Sequence, residues 1–149
     1  SGFKRTLASV PVGSHVNLEG PMGNFIFNPD NGTKHIFIAG GIGITPFLSM
    51  LRHNSSHPDP ASIKLLYANR SEHTAAYRQE FQKLAHQSKW FAYLEVFGKF
   101  TKEVFEEFKE PRILWWIVGP PSMVAEVSYT LQQIGVSQRA IKTESFTGY

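Results

Sequence analysis

From Lys34 onward the chain repeats one unit, a strand-like apolar run followed by a stretch of helical periodicity, and this repetition restricts the fold more than any other feature. The strand-like runs are HIFIAG, IKLLYAN, WFAYLEVF, ILWWIVG and RAIKTESF. Between them lie TPFLSMLRH, a segment around Thr74 to Gln87, TKEVFEEF and SMVAEVSYTLQQIG, each with apolar residues at helical spacing. Five strands separated by four helices predict an α/β fold, a doubly wound, Rossmann-like parallel sheet with helices on both faces and right-handed crossovers. Trp115 and Trp116 are adjacent in one apolar run, so their rings are expected to pack on opposite faces of that sheet.

The first thirty residues follow another regime. They read as a short helix, a Pro-Val-Gly turn, an alternating strand from His15 to Glu19, a Gly-Pro turn and a second short strand. Pro, Asp, Asn and Gly cluster between Asn28 and Lys34, which sets the boundary between segments 1–30 and 31–149. A chain of 149 residues with 42% hydrophobic content builds one well-packed domain and is too short for two large ones. Because it opens abruptly at Ser1, it is expected to be part of a longer protein.

With no cysteine, the chain contains no disulfide, Cys-ligated zinc or Cys-ligated iron–sulfur cluster, so redox chemistry here would require an organic cofactor. Fifteen basic against twelve acidic residues give a net charge of +3, a mild excess that favours an anionic small ligand or an acidic partner only weakly and does not by itself point to nucleic acid. No apolar run is long enough to cross a bilayer and no signal-peptide pattern opens the chain; a cytoplasmic setting, or the cytoplasmic face of a membrane protein, is expected. His53 and His57 are four apart in a loop-like composition, and no metal site is expected.

The turn after the first strand is AGGIGITP. Gly40, Gly41 and Gly43 stand at the strand's carboxyl end, where open parallel sheets bind ligands. Thr45 is expected to cap the following helix and Pro46 to be its first residue, where a missing N–H costs nothing. Backbone amides bared by absent side chains, together with the positive helix end, would suit a pyrophosphate. Alternatively, the glycines serve only a tight turn and close packing. The spacing departs from the usual dinucleotide fingerprint, since Pro46 occupies the third glycine's place, and no P-loop lysine is present.

With the rest of the chain, GGIGITP resembles the nucleotide-binding half of the ferredoxin–NADP reductase family of flavoenzymes. In that family a flavin-binding β-barrel precedes an NAD(P)-binding α/β domain, and a GxGxxP turn receives the cofactor's pyrophosphate. The resemblance implies that role for Gly41, Gly43, Thr45 and Pro46, with Gly40 beside them. SGFK resembles the segment that holds the flavin pyrophosphate, implying Ser1, Gly2 and Phe3; LEGPMGNF resembles the end of the barrel. VGPPSM resembles the strand-end motif beside the nicotinamide, implying Gly119, Pro120 and Met123, and ESFTGY resembles the closing segment near the flavin ring. Two departures stand out: Val118 replaces the family's frequent cysteine, and the Arg-x-Tyr-Ser flavin motif is not in this chain.

The resemblance further implies hydride transfer from NADPH or NADH to FAD, with electrons passed on to a protein or metal acceptor. Rings stacked in contact with water excluded are what such a step demands of the protein. Phe146 and Tyr149 would cover the flavin and Glu144 would neighbour the reacting atoms, making Glu144 and Tyr149 the candidate catalytic residues. Otherwise Tyr149 is an ordinary chain end, Glu144 a strand cap and Gly-Pro-Pro a strand-to-helix breaker. LLYANRSEHTAAYRQEF resembles the segment that meets the adenosine ribose, where acidic residues suit NADH and Arg or Ser a 2′-phosphate. Asn69, Arg70, Ser71 and Arg78 lean towards NADPH, unless Arg78 pairs with the helix carboxylates. Two other classes of function are a non-catalytic nucleotide-sensing or docking domain and an ordinary Rossmann dehydrogenase; the Pro46 spacing and lack of a substrate domain count against the latter.

Overall fold

The structure is a computed structural model that describes residues 2–20, 22–28 and 32–146. Five strands, β1 (Lys34–Gly40), β2 (Ile63–Asn69), β3 (Phe91–Phe97), β4 (Ile113–Gly119) and β5 (Ile141–Ser145), form one parallel sheet in the order β3-β2-β1-β4-β5. The chain winds outward from β1 to β3, crosses back to β4 and continues to β5, so the winding reverses between β1 and β4. That reversal opens a crevice at the strands' carboxyl ends.

Burial follows strand position. β1, β2 and β4 lie inside the sheet with both faces covered, which explains their nearly unbroken apolar sequences. The edge strands β3 and β5 mix protected and exposed residues. Phe37, Leu65, Tyr67, Trp116 and Val118 meet Ile44, Phe47, Leu48 and Leu51 of α2 (Ile44–Ser55) and Phe81 of α3 (Arg78–Gln87). Ile36, Ile38, Leu66, Trp115 and Ile117 face α4 (Lys102–Glu106) and α5 (Pro121–Gln133) through Phe105, Val124, Val127 and Leu131. Each large apolar side chain buried this way contributes about 1.5–3 kcal/mol. The two tryptophans do part to opposite faces, Trp115 towards α5 and Trp116 towards α2.

The amino-terminal segment departs from expectation. Its helix, α1 (Gly2–Ser9), forms, but His15 to Glu19 and the stretch around Phe25 are not strands. A strand needs a neighbour for its N–H and C=O groups, and this segment has none within the described residues. Phe25 and Phe27 instead anchor it as aromatic plugs: Phe25 packs edge-on to Trp116 at 5.1 Å and Phe27 to Phe37 at 5.5 Å. Trp116 Nε1 in turn donates to Nδ1 of the buried His35 at 3.2 Å.

The third helix also starts later than expected. A separate 3₁₀ turn, Glu72–Thr74, closes on Ser71 through a capping box, and Tyr77 then takes a left-handed φ of 60° before α3 begins. Helical periodicity alone does not reveal that break. Among the described residues no helix is long and apolar enough to cross a membrane.

Candidate functional site

At the end of β1 the glycines divide into two roles. A Cβ on Gly43 would lie 2.3 Å from the Val118 carbonyl oxygen and 3.0 Å from the Gly119 Cα, so its bareness lets the turn press against β4. A Cβ on Gly40 would meet Met123 Sδ at 2.1 Å, and one on Gly119 the same sulfur at 2.9 Å; these two glycines let the ends of β1 and β4 close together. Gly41 differs. Its φ of +52° suits glycine, and a Cβ there would meet nothing within 4 Å. Of the three glycines at the end of β1, Gly41 is the one whose bare backbone borders open space at the crevice, the condition under which an anion approaches amide hydrogens.

The helix start also differs from expectation at Thr45. The 3₁₀ turn Gly41–Gly43 runs directly into α2, so Thr45 lies within the helix and does not cap it. Its hydroxyl donates to the Ile42 carbonyl at 3.1 Å, the acceptor that Pro46, lacking an N–H, is unable to reach. Thr45 and Pro46 thus shape the helix's first turn and do not line the crevice.

At the end of β4, Pro120 precedes α5 and Pro121 fills its first position, where proline is well tolerated. The Phe146 N–H donates to the Gly119 carbonyl at 3.0 Å, tying the chain beyond β5 to the β4 end. Glu144 sits half-buried in β5 opposite Val118 and does not line the crevice. Ser1 and Tyr149 lie outside the described residues. Gly2 and Phe3 belong to α1, with Phe3 exposed to solvent.

At the end of β2 a group of polar side chains lies under the loop to α3. Tyr67 and Asn69 are buried; the Tyr67 hydroxyl, with the Asn69 side chain and the Ala76 backbone as its polar neighbours, and Asn69 Nδ2 make no well-formed hydrogen bond. Both residues line the crevice, so each offers it an unused polar group. Burial raises the Tyr67 hydroxyl above the usual tyrosine range, and the neighbouring Tyr93 is raised further, by burial first and then by the Glu95 carboxylate. Arg78 is committed elsewhere: its Nε donates to Glu95 at 2.7 Å and its Nη1 to Glu72 at 3.0 Å. Ser71 is folded into its capping box, while Arg70 is exposed at the crevice.

The crevice is a cleft of about 1000 Å³ across the carboxyl ends of the strands. It collects Gly40, Gly41, Asn69, Arg70, Pro120, Met123 and Phe146 of the residues expected from sequence. Gly43, Gly119, Ser71 and Arg78 stand behind its walls as support. The sequence reading missed Tyr67, Gly98, Lys99, Phe100 and Glu126, which also line it. A usable signal existed for the loop of Gly98 to Phe100: it follows β3, whose carboxyl end lies on the same side as those of β1, β2 and β4.

Comparison with known proteins gives a consistent set of similarities. Residues 37–128 match the family described as the oxidoreductase NAD-binding domain. The flavohemoprotein of Candida albicans is 29% identical over 160 residues, covering 95% of this chain and 38% of the relative. NADH-cytochrome b5 reductase 1 of Aspergillus terreus is 30% identical over 159 residues, covering 91% of this chain and 53% of the relative. Among solved structures, the cytochrome b5 reductase domain of Ulva prolifera nitrate reductase superposes with a TM-score of 0.82 at 25% identity, over 95% of this chain and 65% of that one. The chain thus spans about half the length, or less, of these two curated relatives.

Proposed function

Since this chain belongs to the oxidoreductase NAD-binding domain family, in the ferredoxin–NADP reductase-like group, we propose that its cleft holds a nicotinamide dinucleotide whose hydride passes to a flavin. The bare amide of Gly41, beside open space at the start of a helix, carries this reading, because it offers donors to a pyrophosphate where no side chain intrudes. Asn69 Nδ2 and the Tyr67 hydroxyl, buried without a well-formed hydrogen bond, fit a ligand that supplies ribose or base hydroxyls and ring nitrogens. A cleft of about 1000 Å³ is at the upper end of sizes usual for such cofactors.

Nicotinamide supplies the hydride and flavin accepts it; the protein contributes position and the exclusion of water. In this reading Gly40, Gly41 and the first turn of α2, supported by Gly43, Thr45 and Pro46, seat the phosphates. Pro120, Met123 and Phe146 border the nicotinamide, with Gly119 behind them. Segment 1–30 is the end of a flavin-binding barrel. The exposed Phe3, Leu7, Val12, Leu18 and Met22 support that assignment, since such a run of bare apolar side chains suits a surface packed against something else. Glu144, opposite Val118 in β5, is a polar neighbour of the β4 end, and electrons pass from the flavin to a protein or metal acceptor.

Either dinucleotide enters, with a small preference for NADPH that rests on Arg70. Arg78 contributes nothing directly while Glu95 and Glu72 hold it, and Ser71 is occupied by its turn. The test is anaerobic titration of the full-length polypeptide with NADPH and NADH. The expected result is a bound yellow chromophore bleached by either, more readily by NADPH. A protein that stays colourless and takes up no flavin would remove the enzyme reading, and faster bleaching by NADH would reverse the cofactor preference.

A further inference from the structure

One ion pair joins the two banks of the cleft. Lys99, in the loop after β3, places its ammonium 3.0 and 3.1 Å from the two carboxylate oxygens of Glu126 on α5, and both residues line the cleft. The same loop is fixed to the end of β2, where the Gly98 N–H donates to the Asn69 carbonyl at 2.9 Å. Lys99 therefore stands beside the loop that carries Arg70, at the end of the cleft read above as the adenosine end.

Building on that dinucleotide reading, we propose that Glu126 is a specificity-determining residue: it holds Lys99 in a latch across the cleft and thereby keeps the preference for NADP(H) that rests on Arg70 small. The side chains of Lys99 and Glu126 are 80% and 53% exposed, so the pair is screened by water and easily opened. A 2′-phosphate carries up to two negative charges and three acceptor oxygens, which makes it a stronger partner for the ammonium than a single carboxylate. Lysine suits such an exchange, being a compact charge on a flexible stem. A ligand with a free 2′-hydroxyl has no claim on Lys99 and binds with the latch closed. A 2′-phosphorylated ligand must open it first.

The test uses calorimetric titration of the chain at low salt with adenosine 2′,5′-bisphosphate and adenosine 5′-monophosphate, which differ only in the 2′-phosphate. Glu126→Gln is expected to raise the affinity ratio in favour of the bisphosphate by roughly three- to tenfold, and Lys99→Gln to lower it by a similar factor. In the Lys99→Gln background, Glu126→Gln is expected to lose most of its effect, which identifies the lysine as the route. A ratio within twofold of the unaltered protein in Glu126→Gln, or an equal gain with Lys99 replaced, overturns the latch while leaving the dinucleotide reading intact. If neither nucleotide binds the unaltered chain, the dinucleotide reading fails and the latch fails with it.

Discussion

Three glycines within four residues look alike in a sequence, yet they answer two different physical demands. Gly43 is bare because the backbone of β4 is in the way, and Gly41 because its backbone is left-handed where it lines the cleft. Replacing each by alanine separates the demands. Gly43→Ala pushes a methyl into a backbone carbonyl that has nowhere to go, and is expected to cost about 3 kcal/mol or more in urea denaturation. Gly41→Ala meets no atom, so only about 1 kcal/mol is expected from the left-handed conformation, but dinucleotide affinity should fall roughly tenfold or more as a phosphate loses its approach. Equal losses of stability in both variants, with affinity unchanged in Gly41→Ala, would contradict this division. Tyr93 yields a pH prediction at the same scale. Its raised value keeps it neutral in the folded protein, whereas in the unfolded chain it ionises near pH 10. The unfolded state then binds fewer protons than the folded one, so the contribution is complete below about pH 10 and is lost as pH rises towards the folded value. Tyr93→Phe should therefore show a shallower decline of stability above pH 10 than the unaltered protein, measured by denaturation at a series of alkaline pH values.

The elements were legible where their pattern had a single physical meaning. Continuous apolar runs such as ILWWIVG require burial on both faces, and the parallel sheet provides it. The alternation between His15 and Glu19 satisfied the same local rule but lacked a neighbouring strand, and pairing is not encoded in one segment alone. The late start of α3 was illegible for a local reason: Ser71 to Thr74 close on themselves, and the left-handed Tyr77 resets the chain direction. One connection between elements depends on a side chain that carried no motif. Asn54, fully buried at the end of α2, donates to the Ala61 carbonyl at 3.1 Å and accepts from its N–H at 3.0 Å, binding the helix end to the residue that leads into β2. Asn54→Ala leaves two backbone groups without partners and is expected to cost about 2–4 kcal/mol in a urea melt. A loss below about 0.5 kcal/mol would mean that water replaces the amide.

At the scale of the whole molecule, strand order produces the site. Reversal of the winding between β1 and β4 leaves a cleft at the carboxyl ends, and every strand end contributes to it according to the chemistry of its loop. The ends of β1, β2 and β4 were found in the sequence because they carry glycine, proline or polar signatures. The loop after β3 was not, since Gly98, Lys99 and Phe100 match no motif and acquire meaning only when Glu126 is seen opposite. Arg78 is the converse, a plausible phosphate ligand by position that the fold assigns to Glu95 and Glu72. The central claim, that amides following β1 hold the dinucleotide's phosphates, is tested most directly by recording amide ¹⁵N–¹H spectra of the chain during titration with ADP-ribose. The expected result is saturable shifts largest at Gly41 and Ile42, with smaller ones at Asn69 and Arg70. Saturable shifts confined to the opposite end of the sheet, around Lys34 and Trp90, with Gly41 unmoved, would contradict it.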